Sequence, residues 1–248
     1  MLAAATFLSV ATGPAVSSNQ ERPYYSLGQS HIWLGATVAV LTILLVILIE
    51  AAKQPSWLRR TVWINLAAIV LETLIGFLPL PQAPAVRIAH AFLGQLLFPL
   101  IVLIAFWTSR GWATTPEQAE GTRWLRRLMK ITPVVMLAQV ALGILHRHGA
   151  IGVAPHLFSA FIVVFFVLGL ALPVIYRPQY HALHRVAAAF LISAVVQVLL
   201  GFVLFTMVAV EADPSVTILM TLIHAAMAAL TLAATVMMAV LIRRRITL

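Results

Sequence analysis

Long apolar stretches separated by short polar connectors run through almost the whole chain. A helix needs about 20 apolar residues to cross a hydrocarbon core about 30 Å thick. Stretches of this kind occupy 29–51, 61–79, 85–108, 128–145, 154–175, 185–209 and 215–242. A shorter apolar run, from Leu2 to Val16, precedes a polar segment. The pattern predicts an all-α membrane protein whose first run is either a short first helix or a signal peptide.

Composition supports lipid as the main solvent. Of 248 residues, 62% are hydrophobic and 9% are charged, and the mean hydropathy is +1.02. Soluble globular domains lie far from these values. The chain has no cysteine, which excludes structural disulfides and thiolate metal sites. A bound transition metal would therefore depend on nitrogen or oxygen ligands.

The net charge of +9 is a topology signal and does not indicate nucleic-acid binding, because the basic residues lie in short connectors. Thirteen of the sixteen fall in connectors on one side, at 53–60, 110–130, 177–185 and 243–245, and Arg22, Arg87 and Arg147 fall on the other. The positive-inside rule makes the first side cytoplasmic and places 17–28, 80–86, 146–153 and 210–214 outside. With eight spans, both termini are cytoplasmic in a bacterial-type inner membrane.

A short motif recurs four times. Near the end of each odd-numbered predicted helix, a glycine follows a Ser, Glu or Gln at a spacing of four residues. A histidine lies near the start of the next helix. The copies are Ser9 to Gly13 with His31, Glu72 to Gly76 with His90, Gln139 to Gly143 with His156, and Gln197 to Gly201 with His224. Four residues after each histidine stands a small residue, namely Gly35, Gly94, Ala160 and Ala228. This is the same helix face one turn on, where a flat macrocycle has room.

The four histidines are predicted to lie at one depth, in the outer half of the membrane. A single membrane histidine is often a hydrogen-bonded packing residue, but four in register favour a shared function. Two imidazoles on facing helices suit the iron of a bis-histidine haem. A zinc site, a proton relay and a repeat kept only for helix packing are the alternatives that use the same residues.

Glu72 is the only acidic residue inside an apolar run. It occupies the motif position that holds Gln139 and Gln197 in other copies. Glu72 is therefore the candidate catalytic, proton-handling acid, or else a hydrogen-bonded substitute for glutamine. His146, His148, His181 and His184 lie near the interfaces and receive no function.

Taken together, these residues resemble the haem A synthase family over essentially the whole chain. The resemblance implies eight transmembrane helices in two pseudo-repeated four-helix bundles. These would be residues 1–108 and 128–248, joined by a cytoplasmic connector at 109–127. It also implies that His31 and His90 bind one haem in the N-terminal half, and that His156 and His224 bind a second haem in the C-terminal half.

Members of this family oxidise the C8 methyl of haem O to the formyl of haem A. The resemblance implies that the N-terminal half holds haem O and haem A as substrate and product, and that the C-terminal half holds haem b. It further implies a lipid bilayer, a haem O synthase or terminal oxidase, and a quinone or other electron acceptor as partners, and no nucleic acid.

The chain departs from the family next to its first histidine. The family has a glutamate three residues before this histidine and an arginine directly after it, where this chain has Gly28 and Ile32. This difference motivates an alternative function, a di-haem b-type membrane cytochrome that transfers electrons without modifying haem. A third reading is a transporter or assembly subunit without a cofactor.

Overall fold

The computed structural model describes residues 1–16, 22–77, 83–113 and 119–247. The helices are α1 Leu2–Val16, α2 Arg22–Ala51, α3 Ser56–Phe77, α4 Pro84–Trp107, α5 Arg110–Ala113, α6 Arg123–Arg147, α7 Ala154–Tyr176, a 3₁₀ helix Pro178–Leu183, α8 His184–Ala209 and α9 Pro214–Arg245. Two short strands are β1 Ala119–Glu120 and β2 Ile246–Thr247. Parts of three predicted connectors, at 17–21, 78–82 and 114–118, lie outside the described residues.

The described helices support the predicted all-α membrane fold class. Six of them are long and apolar enough to cross a membrane, namely α2 from Ser26, α4, α6, α7, α8 together with the preceding 3₁₀ helix, and α9. The other two predicted membrane helices are α1, an apolar helix of 15 residues, and α3, which has 22 residues. A multi-pass membrane protein accounts for this set, and the arrangement as eight spans in two bundles stays a prediction.

Large apolar side chains cover the outside of the helices. On α7, Phe158, Phe161 and Phe165 are 72%, 75% and 63% exposed. Their spacing of three and four residues places them on one helix face. Such a stripe is costly in water and suits contact with lipid tails.

The helix starts follow from local sequence. Pro84 and Pro155 lie in the first turns of α4 and α7, where a missing N–H removes no helical hydrogen bond. The side chain of Thr122 accepts a hydrogen bond from the backbone N–H of Leu125 at 3.2 Å, and so caps α6. Oδ1 of Asp213 accepts from Ser215 N–H at 2.9 Å at the start of α9.

The chain forms two compact units. Unit 1 contains residues 1–113 and 203–229, and unit 2 contains residues 114–202 and 230–248. In unit 1, α1 packs on α2 and α4, while α3 packs on α2 and α4, so the first four helices close a ring. Its core includes two larger apolar clusters, Val46, Ile49, Leu58, Val62 and Ile104, and Val38, Ile69, Leu97 and Ile101.

In unit 2, α6 packs on α7, and β1 pairs with β2 in parallel. Gly121 follows β1 directly, and a Cβ there would overlap Cγ2 of Ile246, so a larger residue would require the Ile246 side chain to move. The hydroxyl of Tyr180 donates to the carbonyl of Glu120 at 3.1 Å, and Nη2 of Arg126 donates to the carbonyl of Ile246 at 2.8 Å. These contacts tie the end of α9 to the start of α6.

Candidate functional site

His31 projects from α2 toward α1. Its Nδ1 lies 2.9 Å from the carbonyl oxygen of Ser9. A carbonyl oxygen only accepts hydrogen bonds, so Nδ1 carries the proton in this contact. The lone pair of the neutral ring then lies on Nε2, which is the nitrogen left for a metal ion.

His90 on α4 has a similar partner on α3. Its Nδ1 lies 3.2 Å from Oε1 of Glu72, and both side chains are largely enclosed, at 31% and 16% exposure. The contact has ion-pair distance but not hydrogen-bond geometry. A carboxylate beside Nδ1 favours a proton on that nitrogen, which leaves Nε2 for a ligand. The predicted catalytic acid thus lies next to a predicted haem ligand, where it can act through the imidazole.

The rings of His31 and His90 are neighbours within unit 1. Their centroids are 6.0 Å apart and their planes are nearly perpendicular, at 86°. Two imidazoles on opposite sides of one metal ion, with metal–nitrogen distances of about 2.0 Å, have centroids roughly 6 Å apart. The centroid separation of the two rings is therefore compatible with both imidazoles binding one metal ion.

Each of three histidines packs on the glycine of its own motif. A Cβ would lie 3.4 Å from Cε1 of His31 if built on Gly13, 3.0 Å from Cε1 of His90 if built on Gly76, and 2.9 Å from Cε1 of His156 if built on Gly143. The glycine therefore makes room for the imidazole of the following helix. The sequence signal was the fixed glycine before each histidine, and its structural role was missed in the sequence analysis.

His156 has a different hydrogen-bond environment within unit 2. Nε2 of Gln139 lies 3.2 Å from its Nδ1 and donates to its backbone carbonyl at 3.1 Å. The hydroxyl of Ser159, which the sequence analysis did not single out, donates to Oε1 of Gln139. An amide N–H facing Nδ1 requires an unprotonated Nδ1, so the proton lies on Nε2. Iron binding through Nε2 would require the Gln139 amide to turn its oxygen toward Nδ1, so that the ring proton moves to that nitrogen.

The small residues after the histidines differ in what lies beside them. A Cβ on Gly35 would meet nothing within 4 Å, so the helix face next to His31 is open at this position. A Cβ on Gly94 would instead lie 3.0 Å from Oε1 of Glu72. The missing side chain at position 94 thus accommodates the carboxylate.

The fourth histidine, His224, is half-buried on α9 and belongs to unit 1, whereas His156 belongs to unit 2. Their predicted pairing on a second haem stays a prediction. Among the described residues, no group of three or more His, Cys, Asp or Glu side chains could hold a metal ion. A bis-histidine haem needs only two protein ligands, and the iron takes its other four from the macrocycle.

No protein-family model matches the chain, and no curated protein sequence matches it significantly.

Proposed function

We propose that this chain is a haem-binding membrane protein that oxidises a haem side chain in the manner of haem A synthases. The observation that carries the proposal is the 6.0 Å separation of the His31 and His90 rings, each with a partner at Nδ1. In this proposal eight spans form two four-helix halves. His31 and His90 would hold the substrate haem, and His156 and His224 would hold a resident haem b.

Several residues of unit 1 would prepare the ligand pair. Ser9 and Glu72 orient the two rings and keep the protons on Nδ1, so that both Nε2 atoms can face the iron. Gly13 and Gly76 allow the rings to lie close to the neighbouring helices. The open face at Gly35 provides space for a macrocycle. When bound, haem iron supplies the redox chemistry, and Glu72 is the one described carboxylate beside the pair that could take up a proton.

The reaction would convert the C8 methyl of haem O to the formyl of haem A, with water supplying the oxygen atom and with four electrons and four protons removed from the methyl group and that water. Such an oxidation needs an electron acceptor, for which a membrane quinone is the proposed class. A haem O synthase would supply the substrate and a terminal oxidase would use the product. The charge distribution supports insertion into a bacterial-type inner membrane with both termini in the cytoplasm.

A pyridine haemochrome spectrum of the purified protein is the first test. The proposal expects bound haem, and loss of about half of it, the part held by the first pair, in His31→Ala and His90→Ala. Co-expression with a haem O synthase, followed by haem extraction, then tests the reaction. Recovery of haem A supports synthase activity. Recovery of only haem O and haem B from a haem-loaded protein would contradict it.

A di-haem b-type cytochrome is the second candidate. Gly28 and Ile32 stand where the family has a glutamate and an arginine, and Ile32 is 44% exposed on the outer face of its helix. Neither residue can transfer a proton. A redox titration that shows two reversible b-type components, with no formyl haem formed, would favour this function over the synthase.

A further inference from the structure

Arg87 lies in the first turns of α4, three residues before His90. Residues three apart lie on the same face of a helix, and here they are separated by about 4.5 Å along the axis. The side chain is half-buried, and its Nε is enclosed without a hydrogen-bond partner in the described part of the chain. A guanidinium group therefore stands one turn from the proposed iron ligand, toward the end of the helix that the charge pattern places outside.

The charge of Arg87 has no described counter-ion. The carboxylates of unit 1 that form ion pairs among the described residues are Glu50, with Arg59, and Glu72, with His90. Arginine stays protonated in proteins, so it cannot avoid the cost of partial burial by losing its proton. A half-buried guanidinium whose enclosed Nε has no hydrogen-bond partner among the described residues can take up a negative group supplied by something that binds.

We infer that Arg87 binds a propionate carboxylate of the porphyrin that His31 and His90 hold. The inference rests on the proposed function. Haems b, O and A all carry two propionates on one edge of the ring, and the planar guanidinium can bind a carboxylate through two parallel hydrogen bonds. Arg87 therefore orients the macrocycle, with its carboxylate edge toward the outer surface and its apolar edge toward the membrane centre.

Esterification of the propionates tests this contact directly. The apoprotein in detergent is titrated with haemin and with haemin dimethyl ester, and the Soret band gives a dissociation constant for each. The His156→Ala background restricts the signal to the His31 and His90 pair. The expected acid-over-ester preference is about tenfold to a hundredfold, as for one charge-assisted hydrogen bond. Arg87→Gln should abolish this preference, and Arg87→Lys should retain part of it.

Arg60→Gln is the matched control, because Arg60 is an exposed arginine near the start of α3, on the side assigned to the cytoplasm. This variant should keep the wild-type preference. If Arg87→Gln kept the same acid-over-ester preference as the wild type, the inference would be overturned, while the proposed haem binding would stand. The inference would also be overturned if Arg87→Gln and Arg87→Lys both lowered the affinity for haemin and for its dimethyl ester by the same factor, because charge would then not be the cause. Failure of the wild type to bind either ligand would instead overturn the proposed function, and the inference with it.

Discussion

Oε1 of Glu72 lies 3.2 Å from Nδ1 of His90. In another copy of the motif, the residue in the same position is Gln139, which presents Nε2 to Nδ1 of His156. One contact offers an acceptor to the ring and the other offers a donor. With these side-chain orientations the two histidines carry their protons on different nitrogens, Nδ1 in His90 and Nε2 in His156.

Reciprocal exchange of these two residues should change iron binding in opposite directions. Glu72→Gln removes the negative charge behind His90, so haem affinity at this site should fall by about tenfold, and the midpoint potential should rise because ferric iron loses stabilisation. Gln139→Glu gives His156 an acceptor and should strengthen iron binding there. Soret titration and spectroelectrochemistry measure both effects.

Ser159→Ala is the control for the second exchange, since it removes the donor to Oε1 of Gln139 without adding charge. It should alter haem binding much less than Gln139→Glu does. Effects of the same sign for Glu72→Gln and Gln139→Glu would show that the hydrogen-bond direction at Nδ1 does not control ligation.

Alanine at the three motif glycines should produce a graded series. Gly143→Ala and Gly76→Ala place a Cβ 2.9 Å and 3.0 Å from Cε1 of the facing histidine, and overpacking of this kind costs about 1–3 kcal/mol. At Gly13 the distance is 3.4 Å, an ordinary contact, and the helix gains up to about 1 kcal/mol from alanine. Thermal unfolding of the apoprotein should therefore rank Gly13→Ala as the most stable. Equal destabilisation by all three would contradict the ring-on-glycine packing.

Gly35→Ala tests whether the open space at position 35 is needed by a bound ligand or by the apoprotein itself. Nothing lies within 4 Å of a Cβ at this position, so the apoprotein should unfold at the wild-type temperature or slightly above it. A macrocycle against this face would meet the added methyl group, and haem affinity should fall. Gly94→Ala is the contrasting variant, because its Cβ would lie 3.0 Å from Glu72 and should destabilise the apoprotein itself. Unchanged haem affinity in Gly35→Ala would exclude this face as the haem contact.

The helices could be predicted from sequence, because apolar run length fixes a membrane helix. The recurring motif predicted a common depth for the four histidines, whereas the pairing of His31 with His90 came from the family resemblance. The individual atoms that contact the histidine rings could not be predicted. Ser9 uses its carbonyl oxygen, which any residue possesses, so its side chain gave no signal. Gly94 looked like space for a ligand, but the carboxylate of Glu72 fills it.

The short β1–β2 pair was also absent from the prediction. Its two-residue strands carry no periodic pattern, and their pairing depends on a tertiary contact in which Ile246 packs where Gly121 lacks a side chain. Likewise, the donor that faces His156 depends on Ser159 and on the backbone carbonyl of His156 itself, which together fix the orientation of the Gln139 amide. Such orientations arise from packing in three dimensions and leave no trace in the spacing of residues.

The orientation of the helices is testable because the chain has no cysteine. Two exposed alanines are suitable positions for single cysteines: Ala52, between α2 and α3, and Ala150, between α6 and α7. The positive-inside rule predicts that a membrane-impermeant maleimide labels Ala150→Cys in intact cells, and labels Ala52→Cys only after permeabilisation. Full labelling of both after permeabilisation is the control for reactivity. The opposite result would reverse the topology and move His31 and His90 to the cytoplasmic leaflet. A haem entering the pair would then have to turn its carboxylate edge, and with it the partner of Arg87, toward the cytoplasm.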